Sequence, residues 1–210
     1  NVAIGYNSLM YNTTGNTNTA IGNGSMVMNS TGYENTAVGF SSMFYNIAGY
    51  ANTAMGNYSL YNNQGNENTA IGYNSMYNNT TGNYNTAIGM SSGYSNKNGN
   101  NNVFIGYNSG YYETNSNTFY LHNGLGVTDY NTGITHSLLY GTFNSDNTQQ
   151  TLRINANTSN YGDLILQDTK SFYFGDANTD GTWRIIRVGN NLEFQRRESG
   201  TWVTKSTMIP

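Results

Sequence analysis

Short apolar clusters recur between residues 1 and 112 at a nearly fixed interval, separated by asparagine-, threonine- and glycine-rich turns. Glycines that close an Ala-Ile-Gly-like motif stand at Gly5, Gly22, Gly39, Gly56, Gly72, Gly89 and Gly106, so the step is 17 residues except for one of 16. A second glycine series, Gly15, Gly32, Gly49, Gly65, Gly82 and Gly99, keeps the same step and places the missing residue between Gly56 and Gly65. A fixed short period with two turn glycines per unit predicts a solenoid whose coils pair strand on strand. Seven coils at about 4.8 Å per rung span roughly 29 Å.

Aligned on this period, like residues form columns. Asn18, Asn35, Asn52, Asn68, Asn85 and Asn102 precede Thr19, Thr36, Thr53, Thr69 and Thr86. Ala20, Ala37, Ala54, Ala70 and Ala87 follow, then Ile4, Ile21, Val38, Met55, Ile71, Ile88 and Ile105. Further along run Leu9, Met26, Met43, Leu60 and Met76, and beside them Phe44, Tyr61, Tyr77, Tyr94 and Tyr111. Each coil is therefore expected to hold one strand around Asn-Thr-Ala-Ile-Gly and another around Ser-Leu-Tyr-Tyr.

Strand alternation puts threonine and isoleucine on one face and alanine on the other, in the cramped interior. The asparagine and threonine columns are read as ladders bonded to their equivalents one coil above and below. If alanine fills the inside, the aliphatic, methionine and aromatic columns cannot all be buried within one chain. Exposed, they would make an apolar patch larger than soluble monomers usually carry, which calls for packing against copies of the same chain. A closed homotrimer is the expected assembly.

The repeat decays after Gly106, and of the eight Lys/Arg residues all but Lys97 lie beyond Glu113. This divides the chain into a solenoid shaft (1–113), a connector (114–150) and a small antiparallel β module (151–210). Strands are expected at Ser137–Phe143, Thr151–Ala156, Asp163–Gln167, Ser171–Phe174, Trp183–Val188, Leu192–Arg197 and Trp202–Lys205. No stretch carries a helical apolar stripe. The fold class is all-β: a parallel β-solenoid followed by a small antiparallel domain, intertwined as a trimeric fibre.

Composition sharpens this picture. Only 9% of the 210 residues are charged, yet 19 tyrosines, eight phenylalanines and two tryptophans separate the chain from disordered polar sequences. There is no cysteine, and a formal charge of −3 gives no reason to expect nucleic acid as a partner. No apolar run approaches a membrane span, so membrane insertion is not expected. The sequence opens inside a repeat, and the natural protein is expected to extend further N-terminally.

The Asn-Thr-Ala-Ile-Gly units, the Asn102-Val103-Phe104-Ile105-Gly106-Tyr107 unit and Ser137-Leu138-Leu139-Tyr140-Gly141 resemble shaft regions of bacteriophage tail and head fibres. The coil is also similar to the left-handed parallel β-roll in the heads of trimeric autotransporter adhesins of the YadA type. Phe172-Tyr173-Phe174-Gly175-Asp176, Gly181-Thr182-Trp183-Arg184 and Arg196-Arg197-Glu198-Ser199-Gly200-Thr201-Trp202 resemble a small module near the ends of phage fibre proteins. The resemblance implies a trimeric virion fibre at the virion surface, in contact with other virion proteins and with a host glycan or protein. A bacterial cell-surface adhesin head is the alternative, and an ice- or glycan-binding solenoid a further one.

Candidate chemistry is sparse. His122 and His136 are the only histidines and neither sits in a nucleophile motif, so no catalysis is expected. Either could line a trimer axis as a metal ligand, but a histidine hydrogen-bonded in a loop or strand end is the preferred reading. Asp176, Asn178 and Asp180 before Gly181 fit the opening of a calcium loop, yet Arg187 stands where a bidentate glutamate belongs. An Asx-rich hairpin turn is the preferred reading, with Ca2+ as the alternative. Arg184, Arg187, Arg196 and Arg197, balanced by Asp176, Asp180, Glu193 and Glu198, are expected to form ion pairs rather than a polyanion site. Tyr6, Phe40, Tyr73 and Tyr107 share a column that either packs against a neighbouring chain, the preferred reading, or stacks on sugars.

Overall fold

The computed structural model describes residues 1–124, 126–144, 150–154, 171–174, 180–181, 183–188 and 191–208. They fall into two compact units, 1–156 and 157–210. The first is the expected solenoid. Its strands are β1 (Val2–Ile4), β2 (Thr19–Ile21), β3 (Thr36–Val38), β4 (Thr53–Met55), β5 (Thr69–Ile71), β6 (Thr86–Ile88), β7 (Val103–Ile105) and β8 (Thr118–Leu121). They pair in parallel and in sequence order, and from β2 to β6 the register sets Thr on Thr, Ala on Ala and aliphatic on aliphatic. The stack continues one rung past residue 113, with β8 beside β7. Next come helix α1 (Tyr130–His136) and strands β9 (Leu139–Thr142) and β10 (Thr151–Ile154), which extend the sheet antiparallel from β8.

One strand per coil forms, not two. The Ser-Leu-Tyr-Tyr segments are turns in which Leu9, Met26, Met43, Leu60 and Met76 take left-handed backbone, φ 49–52°. That conformation costs an L-residue roughly 1–2 kcal/mol, and here it turns a large side chain inward. Met26, Met43, Leu60 and Met76 are fully buried beside the alanine column. Of the apolar columns that one chain cannot bury all together, the methionine column is thus the one it does bury. The isoleucine column does point outward, as strand alternation requires.

The inner column changes composition near the end of the stack. Phe104 and Tyr120 replace alanine, and Gly93 and Gly110 replace methionine. A Cβ on Gly93 would lie 2.6 Å from the Phe104 ring. The ring thus occupies the space that methionine fills elsewhere, and the cross-section stays closed. Glycine is obligatory at the strand end for another reason. Gly56 has φ +133°, and a Cβ there would stand 2.6 Å from the Gly72 carbonyl oxygen on the next rung.

Asparagine closes the remaining corner. Asn68 accepts the backbone N–H of Asn85 at 3.0 Å and its side-chain N–H at 3.1 Å, and donates to the Gly82 carbonyl at 2.8 Å. The same bonds repeat for Asn18, Asn35 and Asn52. At the last rung Thr118 takes the asparagine's place, its N–H and hydroxyl both donating to Asn102. A second series, Asn29, Asn46, Asn63 and Asn79, all buried, donates amide to amide down the stack, ending on the half-buried Asn12, which accepts from Asn29. The threonine ladder does not form. Thr19, Thr36, Thr53, Thr69 and Thr86 stack in register but make no side-chain hydrogen bonds, because their hydroxyls face outward from half-buried positions.

The 16-residue coil absorbs its deletion in the turn after Asn63. There the amide reaches the glycine carbonyl two residues on, against three at Asn46. Facing is preserved: the Tyr61 and Tyr77 rings stack at 4.9 Å and 5°.

The second unit is an antiparallel sheet of β11 (Ser171–Phe174), β12 (Trp183–Val188), β13 (Asn191–Glu198) and β14 (Thr201–Met208) in sequence order. β11 and β12 have the expected bounds, and β13 and β14 run longer. The strand expected at Asp163–Gln167 lies outside the described residues. Helix α1 was not expected; its start is marked by Asp129, which accepts the Thr132 N–H in a capping box.

Asn68→Ala removes one amide that is hydrogen-bonded to Asn52, to Gly82 and twice to Asn85, and leaves buried groups unpaired. It is expected to cost about 3 kcal/mol, whereas Thr69→Ala should cost less than about 1 kcal/mol. Chemical unfolding of the two variants checks the difference.

Candidate functional surfaces

Outward positions of a coil recur on each rung, so a column of like residues becomes a stripe. The aliphatic stripe includes Ile21, half-buried, and Ile71 and Ile88, 37% and 41% exposed. Its partners in the strand, Ala20 and Ala70, are fully buried, as are Asn68, Leu60 and Met76. The columns read from the sequence thus sort into interior (alanine, asparagine, leucine/methionine) and exterior (threonine, isoleucine).

A second stripe is a ladder of rings. Phe44, Tyr61, Tyr77, Tyr94 and Tyr111 stack at centroid separations of 4.8–5.5 Å. Burial, and next to it the charges of neighbouring phenols, raise the pKa of Tyr61, Tyr77 and Tyr111 above the usual 10. Neighbouring phenolates would repel, so these three phenols are held in the neutral form, and the stacked rings present an apolar surface. Tyr58 joins it to the corner column, lying 5.3 Å from Phe40 and 6.1 Å from Tyr73. Tyr6, Phe40, Tyr73 and Tyr107 are all exposed, and successive members sit two rungs apart.

The end of the solenoid carries the buried polar cluster of this unit. Glu113 takes the rung after Asn96 in the inner asparagine series. Its carboxylate accepts the Thr114 and Asn115 N–H groups and the Tyr120 hydroxyl, the last at 2.8 Å. Burial and the adjacent Glu113 charge push the Tyr120 phenol far up, so it stays a donor. His122 is buried. Its Nδ1 donates to the His136 carbonyl at 2.9 Å, since a carbonyl can only accept, and this leaves Nε2 as an acceptor with no partner. His136 lies on α1, exposed, with Nδ1 against Thr132. The two histidines meet through a backbone carbonyl, an arrangement that ties α1 to the stack.

In the second unit, Asp180 accepts the Gly200 N–H at 3.0 Å and lies 4.0 Å from Arg197. Asp176 and Asn178 lie outside the described residues. Among the described residues no three His, Asp or Glu side chains cluster as metal ligands. The arginines are paired or stacked: Arg184 donates to Gln195 at 2.7 Å and lies 4.3 Å over the Trp202 ring, and Arg196 stands 3.7 Å from Glu198. Glu198 also receives Lys205 at 2.8 Å, while Glu193 accepts from Gln195 and Thr204. The Arg187 side chain is outside what is described.

The second asparagine series and the Glu113–Tyr120 pair were missed from the sequence. A signal was present: the step from Asn12 to Asn96 is regular, and Glu113 continues it after 17 residues.

Burial lowers the His122 pKa below 6.5. A neutral histidine is therefore favoured in the folded state, and its contribution, complete above 6.5, is lost as pH falls through the lower folded value. Acidification should thus lower the melting temperature beginning below 6.5, and His122→Asn, which keeps a donor for the His136 carbonyl, should flatten that part of the profile. Melting curves across the pH range check both.

Comparison with known proteins finds no family model, no curated protein and no solved structure that matches this chain.

Proposed function

We propose that the chain is the shaft of a homotrimeric fibre on a phage virion, serving host attachment. The observation that supports this most is a mismatch between inside and outside. Inside the stack from β2 onward the alanine, methionine and asparagine columns are buried and, apart from the Asn79 Oδ1, the asparagines are hydrogen-bonded, yet an unbroken aliphatic stripe faces outward on every rung. Single apolar side chains on a surface need no explanation, but a continuous stripe marks an interaction site. A threefold assembly covers the same stripe on each chain with the same environment.

Function on this reading is mechanical. The shaft spaces a binding surface from the particle, and multivalency converts weak contacts into firm attachment. No side chain is asked to perform a covalent step. Electron microscopy of intact particles labelled with antibody against the chain tests the location; label on bacterial envelopes and none on particles would favour the cellular adhesin instead.

Ile71→Asp separates interchain packing from folding. Ile71 is partly exposed in one chain, so aspartate there is tolerable in a monomer and costs several kcal/mol only where the stripe is covered. Mass photometry should show a trimer for the parent chain and a folded, dissociated form for the variant. A parent chain that is monomeric at micromolar concentration would overturn the assembly.

A further inference from the structure

The corner that leads each coil away from its strand alternates rings and amides. Up the stack it reads Tyr6, Asn23, Phe40, Asn57, Tyr73, after which Met90 interrupts the order. All five are exposed. The Asn57 Oδ1 accepts the Phe40 N–H at 3.0 Å, which fixes this amide and leaves its NH2 group without a protein acceptor. Asn23 makes no side-chain hydrogen bond. Dry packing of this column against another chain would bury unpaired amide groups between the rings, an arrangement proteins avoid.

The same alternation suits a sugar chain. Aromatic faces stack on the C–H faces of pyranose rings, and amides bond to hydroxyls at their edges. Rungs rise by about 4.8 Å, so rings recur about every 9.6 Å. An extended β-1,4-linked glycan advances by nearly one rung per sugar and turns each residue over relative to the last, so one kind of face recurs at every second residue. The column contains no charged side chain, which fits a neutral chain.

We propose that Tyr6, Asn23, Phe40, Asn57 and Tyr73 bind a neutral, extended β-1,4-linked glycan lying along the solenoid axis, one sugar per rung. This names the ligand class for the attachment reading above and rests on it for biological use, while occupying a different column from the aliphatic stripe assigned to interchain contact.

Isothermal titration of the full chain with chitohexaose, cellohexaose and maltohexaose tests it. One or both β-linked hexamers should bind and the α-linked, coiling maltohexaose should not; the first two distinguish an N-acetylhexosamine chain from a glucan. Phe40→Ala and Tyr73→Ala should each weaken binding about ten-fold, the scale of one lost aromatic contact. Phe40→Tyr should retain binding, and Tyr84→Ala, an exposed ring on another column, should leave it unchanged. Absence of binding by both β-linked hexamers, equal binding of maltohexaose, or insensitivity to both Phe40→Ala and Tyr73→Ala would overturn the assignment. Mass photometry of the same samples keeps the two readings apart: a trimer that binds no hexamer sinks the glycan alone, and a monomer that binds through Phe40 sinks the trimer alone.

Discussion

The structure depends on how a thin coil satisfies backbone polar groups that water cannot reach. Each rung contributes three strand residues, so most of a coil is turn, and turn backbone leaves donors and acceptors pointing inward. The asparagine at the strand entrance answers this by joining its own rung to the next: its oxygen takes the N–H of the following asparagine, and its amide bonds the carbonyl of the following turn glycine. Alanine and the inward methionines then fill what space is left. A purely apolar interior of this width would strand several backbone groups per rung, each costing about 1–3 kcal/mol.

This constraint explains which parts were legible in the sequence. The period, the strand at Asn-Thr-Ala-Ile-Gly, its facing and the asparagine ladder all follow from identities that recur on every rung, because stacked rungs impose the same environment on each column. The methionine turn was misread. Apolar and aromatic residues in a row suggest a strand, and neither leucine nor methionine announces a left-handed backbone; the hint lay two positions earlier, in Asn7, Gly24, Asn74 and Asn108, which share that conformation. Threonine misled in the opposite direction, since a column of hydroxyls suggests a ladder, yet alternation forces these side chains outward.

Sites were less legible than fold, for a related reason. A repeated scaffold fixes positions one column at a time, whereas Glu113, Tyr120 and His122 meet where the repeat ends and no column repeats. His122 was correctly expected to be hydrogen-bonded near a strand end. Nothing in its neighbours in sequence pointed to His136 as its partner, because that contact depends on the turn that brings α1 back over the last rung.

The exchange of Phe104 for alanine and of Gly93 and Gly110 for methionine carries a consequence for how such a chain changes length. Every rung from β2 to β5 presents nearly the same cross-section, so a whole coil of 17 residues can be added or removed there while each new neighbour pair repeats an old one. Across the exchange this is not so: a methionine rung placed against Phe104 meets a ring where it needs space. The terminal coils therefore act as a fixed fitting, and the uniform coils before them as a ruler that evolution can lengthen in increments of one rung without redesigning its end.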